Sequence, residues 1–249
     1  MLTLVKTIVA GSAAGFMIRQ LRQHLFWRYS RSMRYALESS LIMKRLLKVN
    51  SNCVDVGCYK GYVLREMLRL APEGVHYAFE PVPAFYQRLA SMFPNARIHN
   101  LALSDAKEEA PYYNIASCPA FSGFRSRNLE SREKLCPITV QTDTLDNIIS
   151  NNIPIQFIKI VVEGSELSVL KGAVETVSRS KPIIVFEHGL GGADFFGTLP
   201  EEIYDLLVKT CGLRVSLMTS WLNHEPCLSR WEFADQFYQG LNYYFVAHP

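Results

Sequence analysis

Beyond residue 50 the hydrophobic pattern of the chain alternates between two periods. Continuous apolar runs at residues 52–57, 76–80, 155–162 and 182–186 predict strands buried on both faces, with the longest at the centre of a sheet. Between them lie stretches with apolar positions at helical spacing. These are 61–70, where Val63, Leu64, Met67 and Leu68 carry the pattern, then 83–93, 166–177 and 199–210. Further strand signals stand at 97–102, 138–142, 213–218 and 242–247, and Asp143 opens a short helix where the dipole favours an acid. Alternation of this kind predicts right-handed crossovers and an α/β fold with a doubly wound, mostly parallel sheet. Residues 105–137 break the rhythm and read as an insertion near the site.

A chain of 249 residues makes one large domain, or one domain with an appendage. With 49% hydrophobic and 20% charged residues it is globular, which excludes disordered and fibrous classes. The charge is unevenly placed. Residues 1–50 hold nine basic side chains against one acid, Glu38, so that with a total of +3 the remainder carries −5. This separates a basic helical N-terminal extension, 1–50, from a mildly acidic body, 51–249, that is expected to fold without it. The body shows no basic groove and no aromatic recognition motif, so nucleic acid is not an expected partner.

Residues 7–18 are apolar but shorter than the ~20 residues a spanning helix needs. Three readings stay open for them: a helix packed on the body, a membrane-surface contact supported by the arginines that follow, or a cleaved signal. The six cysteines form no CxxC and no close Cys/His spacing, so zinc is not expected. They fit a reduced, cytoplasmic protein better than a disulfide scaffold.

Val54-Asp55-Val56-Gly57-Cys58-Tyr59-Lys60-Gly61 reads as a strand, a glycine loop and a helix start. Gly57 permits close approach of a ligand to backbone, and Gly61 relieves crowding at the helix start. Neither G-x-G-x-x-G nor G-x-x-x-x-G-K-[ST] occurs, which counts against dinucleotides and against an ATPase phosphate loop. Glu80 ends the next strand, where a doubly wound fold places the acid that binds ribose hydroxyls. A solvated strand-end glutamate is the plainer alternative. Two further motifs follow, Ile158-Lys159-Ile160-Val161-Val162-Glu163-Gly164-Ser165-Glu166 and Phe186-Glu187-His188.

Taken in order, DVGCYKG, YAFEP, TDTLDNI, IKIVVEGSE, VLKGA and IVFEH resemble the FkbM-like methyltransferases, a branch of the class I enzymes that use S-adenosylmethionine. The resemblance spans about residues 51–190. It implies a seven-stranded Rossmann-like methyltransferase sheet with helices on both faces and S-adenosylmethionine as cofactor. The implied reaction is O-methylation of a sugar or other small hydroxylated acceptor. One position departs from the family's usual K-[ILV]-D-V-E-G: Val161 stands where the aspartate would be. An acid there would orient an acceptor hydroxyl or hold a metal ion. Valine does neither, so no metal is expected, and a cofactor-binding or scaffold protein that has lost catalysis is the alternative.

For individual residues the resemblance implies the following. Asp55 orients the methionine amino group, Gly57 and Gly61 let the loop wrap the methionine part, and Glu80 holds the ribose hydroxyls. Asn100, Leu101 and Ala102 border the adenine with Val82 and Phe85 nearby; Leu101 and Ala102 read equally well as packing residues. His188, at the carboxyl end of a strand, is the candidate base, since imidazole titrates near neutral pH. Glu163 and Glu166 frame the loop after the central strand and are candidates to bind the acceptor. The alternatives are a structural hydrogen bond for His188 and a first-turn helix acid for Glu166. Lys159 reads as a buried partner of one acid.

Overall fold

The computed structural model describes residues 31–115, 123 and 135–249; the apolar segment at 7–18 lies outside them. In chain order the strands are β1 (Cys53–Val56), β2 (His76–Phe79), β3 (Arg97–His99), β4 (Ala102–Leu103) and β5 (Glu109–Ile115). They continue with β6 (Leu135–Asp143), β7 (Phe157–Ile160), β8 (Ile183–Glu187), β9 (Arg214–Leu217) and β10 (Tyr244–His248).

Seven of these form one sheet in the order β3-β2-β1-β7-β8-β10-β9. All pairs are parallel except those of β10, which runs antiparallel to both β8 and β9. The fold is a mostly parallel, doubly wound, Rossmann-like sheet. From β1 the chain winds outward through β2 to β3, and from β7 it winds the other way to β8. Right-handed crossovers in opposite directions put their helices on opposite faces. β1 and β7 are buried on both faces apart from Lys159, which is why they read as apolar runs rather than as alternations. The core that results joins Val54, Ile158, Ile184, Phe186 and Phe245.

The structure departs from the sequence pattern in identifiable places. The strand expected over 97–102 ends at His99, because Ala102 and Leu103 pair with Thr142 and Asp143 instead. The strand expected over 138–142 extends over Leu135–Asp143 and pairs antiparallel with β5, a strand of the insertion. The helix expected over 166–177 is two helices, Glu166–Lys171 and Val174–Ser180. Gly172 between them packs so tightly that a Cβ would stand 2.0 Å from the Ser104 carbonyl oxygen.

Residues 31–46 are helical, and the chain divides between Ser40 and Leu41. Within Leu41–Pro249, Ile42 and Met43 are buried, and Arg45 donates to the Leu222 carbonyl at 2.6 Å with its guanidinium over the Trp221 ring. The body therefore begins before the charge boundary at residue 50. Among the described residues no helix is long and apolar enough to cross a membrane.

Candidate cofactor and acceptor site

The sheet reverses its winding between β1 and β7, and in such folds the ligand crevice opens beyond the carboxyl ends of those strands. Asp55 and Lys159 face each other in the β1–β7 register. Asp55 is fully buried, and among the described residues neither carboxylate oxygen has an aligned N–H or O–H donor, the Cys58 thiol lying against it as a weak one. Its near charge is Lys159, with Nζ 3.4 Å from Oδ1. That ammonium donates to the Val56 carbonyl at 3.2 Å and to the Gly57 carbonyl at 2.7 Å. A buried carboxylate left without hydrogen bonds is costly, and an arriving ammonium group would satisfy it.

Gly57 adopts φ +74°, and a Cβ on it would meet the Val161 carbonyl oxygen at 2.0 Å. Left-handed backbone and lack of room both require glycine. Gly61, at φ +77°, lies against Phe93 and Leu89 at the start of helix Tyr62–Leu70. Between them the loop is tied to Glu80. The Tyr59 N–H donates to Oε2 at 2.8 Å and the Val82 N–H to Oε1 at 3.0 Å. Each oxygen keeps a lone pair for a further donor. Burial raises the Glu80 pKa, against the opposing pull of these donors and of Lys159. The Asn100 amide donates to the Glu80 and Pro81 carbonyls at 2.9 and 3.0 Å, holding that turn. Phe85 packs edge-on to Tyr59, centroids 4.9 Å apart. Leu101 packs on the core and Ala102 is buried in β4.

The loop after β7 carries the second set of groups. Glu163 has a left-handed φ of +58°, unusual outside glycine. Glu166 is buried behind it, and its Oε1 accepts from the Val162 N–H at 3.0 Å and the Gly164 N–H at 3.3 Å. Burial pushes its pKa up to about 7. Glu166 thus clasps its own loop, a structural task. Two tyrosines that sequence reasoning missed join Glu163. Burial raises the Tyr112 phenol pKa, with Glu80 and Glu163 adding to the rise. Burial does the same for Tyr244, with Glu187 and Glu163 among its neighbours. Tyr112 belongs to the insertion, which reaches the loop directly: Tyr113 bridges Gly123, and a Cβ on Gly123 would stand 3.8 Å from the Glu163 Cβ. Tyr244 pairs with Glu187 because β10 is antiparallel and so starts at the edge where β8 ends.

His188, the expected base, is elsewhere. It is fully enclosed, stacked on Phe237 at 4.8 Å and Phe233 at 5.9 Å between centroids. Neither ring nitrogen has a hydrogen-bond partner among the described residues, so the structural hydrogen bond is not found either. Burial lowers its pKa to about 4, leaving a neutral ring inside an aromatic layer. Among the described residues no cluster of three His, Cys, Asp or Glu groups is arranged to hold a metal ion. Cys53, Cys58, Cys211 and Cys227 are free thiols.

Residues 55–215, well over half of the chain, match the methyltransferase FkbM domain, and the chain belongs to that family. No curated protein matches it by sequence. Among solved structures it is similar to the methyltransferase FkbM from Methylobacillus flagellatus KT, with 15% identity, a TM-score of 0.50, and coverage of 82% of this chain and 44% of that one. At that identity the likeness concerns the fold, and the chain spans less than half of that protein's length. Matches of 14% identity and TM-score 0.42 to a precorrin-6y C5,15-methyltransferase from Geobacter metallireducens GS-15, and of 12% and 0.44 to a putative rRNA-methylase from Clostridium thermocellum, cover 86% and 84% of this chain and 87% and 90% of those.

Proposed function

We propose that this protein is an S-adenosylmethionine-dependent O-methyltransferase acting on a sugar or other small hydroxylated acceptor. The observation that carries this reading is Asp55, a buried carboxylate with spare acceptor capacity on both oxygens, set beside a glycine loop that Glu80 ties in place. S-adenosylmethionine supplies an electrophilic methyl group on a sulfonium centre. In this reading Asp55 accepts from the amino group of the cofactor, Glu80 accepts from its ribose hydroxyls, and Gly57 lets it approach the backbone. Glu163, rather than His188, takes the acceptor's proton. Tyr112 and Tyr244, kept protonated by their surroundings, flank Glu163 on the acceptor side.

Val161 favours a second reading in which the cofactor binds and no methyl is transferred, because the acid usual at that position is missing. Calorimetry with S-adenosylmethionine and its demethylated product, together with turnover over a panel of hydroxylated acceptors, separates the two. Binding with turnover supports the enzyme, binding alone supports the second reading, and absence of binding overturns both. Glu80→Ala should weaken binding at least about tenfold, since a hydrogen bond to a charged group contributes about 1.5–3 kcal/mol.

The domain organisation proposed here is a basic extension followed by the methyltransferase body. The basic side chains that precede Leu41, Lys6, Arg19, Arg22, Arg28, Arg31 and Arg34, support a contact of the extension with an anionic membrane surface, testable by co-sedimentation with phosphatidylserine vesicles.

A further inference from the structure

We propose that Lys159 is a positioning residue for cofactor binding, fixing from the central strand both the charge of Asp55 and the backbone of the glycine loop without itself touching the cofactor. This rests on the assignment of Asp55 to the cofactor's amino group. The side chain is 13% exposed, and its ammonium has three donors. Two go to the carbonyls of Val56 and Gly57, the residues where β1 turns into the loop, and the remaining side faces Asp55 Oδ1 at 3.4 Å. One cation therefore holds the strand end, the loop and the carboxylate in a single arrangement.

Among the described residues the titratable groups coupled to Asp55 include Lys159 from β7, Glu80 from the end of β2 and the Cys58 thiol from the loop, whose pKa burial raises. Lys159 is the cation of this set. Without it two acids share a dry region with no compensating cation, which makes their joint negative charge costly, so the hold of the site on an ammonium group would weaken as pH is lowered.

The test is calorimetric titration of S-adenosylmethionine into wild type, Lys159→Met and Lys159→Gln between about pH 5 and 7.5. Glutamine keeps a donor for the carbonyls and removes the charge, so one variant remains if the other fails to fold. Relative to wild type, each is expected to lose about tenfold or more in affinity at pH 7 and further affinity toward pH 5. Lys159→Arg, which restores the charge, should flatten the profile. Adding Asp55→Asn to Lys159→Met should shrink the pH dependence to the part that Glu80 contributes. A folded variant whose loss is the same at every pH, or absent, overturns the proposal, as does pH dependence that Asp55→Asn leaves unchanged. Failure of the wild type to bind refutes the proposed function instead.

Discussion

A Cβ atom on Gly57 would stand 2.0 Å from the carbonyl oxygen of Val161. The glycine loop after β1 and the end of the central strand therefore meet backbone to backbone, with no room for a side chain between them. The position that departs from the family pattern by its side chain still serves through its carbonyl.

Gly57→Ala cannot be absorbed, since the obstacle is backbone and φ is +74°. It should destabilise the body by more than about 1 kcal/mol and abolish measurable cofactor binding. At Gly61 the obstacles are the Phe93 and Leu89 side chains, which can shift. Gly61→Ala should cost less in the same urea titration. Equal loss for the two would show that the left-handed backbone, common to both, outweighs the contact with Val161.

Glu166 and His188 should oppose each other in the pH dependence of stability. The Glu166 pKa rises from 4.5 to about 7 on folding, so its native form holds the proton more tightly. Its contribution is complete below pH 4.5 and is lost as pH rises toward 7. The His188 pKa falls from 6.5 to about 4, so its contribution is present above pH 6.5 and is lost as pH drops toward 4. Each is on the order of 3 kcal/mol across its window. Relative to wild type, Glu166→Gln should become more stable as pH rises through its window, and His188→Phe should become more stable as pH falls through the other. Urea midpoints measured at intervals over this range check both signs.

The main sheet was legible because its central strands are buried on both faces, and a continuous apolar run is the direct consequence of that burial. That Lys159 needs a buried acid as partner was legible too, since a charge inside such a run needs one; that the acid is Asp55 follows from the register of β1 with β7. What escaped depends on where chains meet. Tyr112 sits in an insertion whose sequence carries no period, and nothing local says that its strand crosses to Glu163. Tyr244 reaches the site because β10 is antiparallel, a property of topology rather than of its own residues. His188 was singled out because the end of a strand is where such sites lie, whereas its burial by Phe233 and Phe237 comes from a helix, Arg230–Tyr238, that begins 42 residues later.

The assignment of the base separates on kinetics. Removing a general base lowers turnover about 10²–10⁴-fold. Glu163→Gln should lose kcat in that range with cofactor affinity retained. His188→Phe keeps an aromatic ring between its neighbours and should leave kcat near wild type. The reverse pattern would return the role to His188 and require that its enclosure open during the reaction.

Truncation tests where the body begins. Deleting residues 1–40 removes no part of Leu41–Pro249 and should leave a folded protein that binds cofactor. Deleting residues 1–50 also removes Ile42 and Met43, at 0% and 2% exposure, and the Arg45 contacts with Leu222 and Trp221. Truncating one buried aliphatic side chain costs about 2–5 kcal/mol, and two such losses approach the whole stability of a typical domain. Val49 would go as well, and its carbonyl accepts the Glu73 N–H at 2.9 Å. The longer deletion should therefore lower the melting temperature sharply or give insoluble protein. Equal thermal stability of the two truncated forms would place the start of the body at the charge boundary instead, with residues 41–50 contributing nothing to its core.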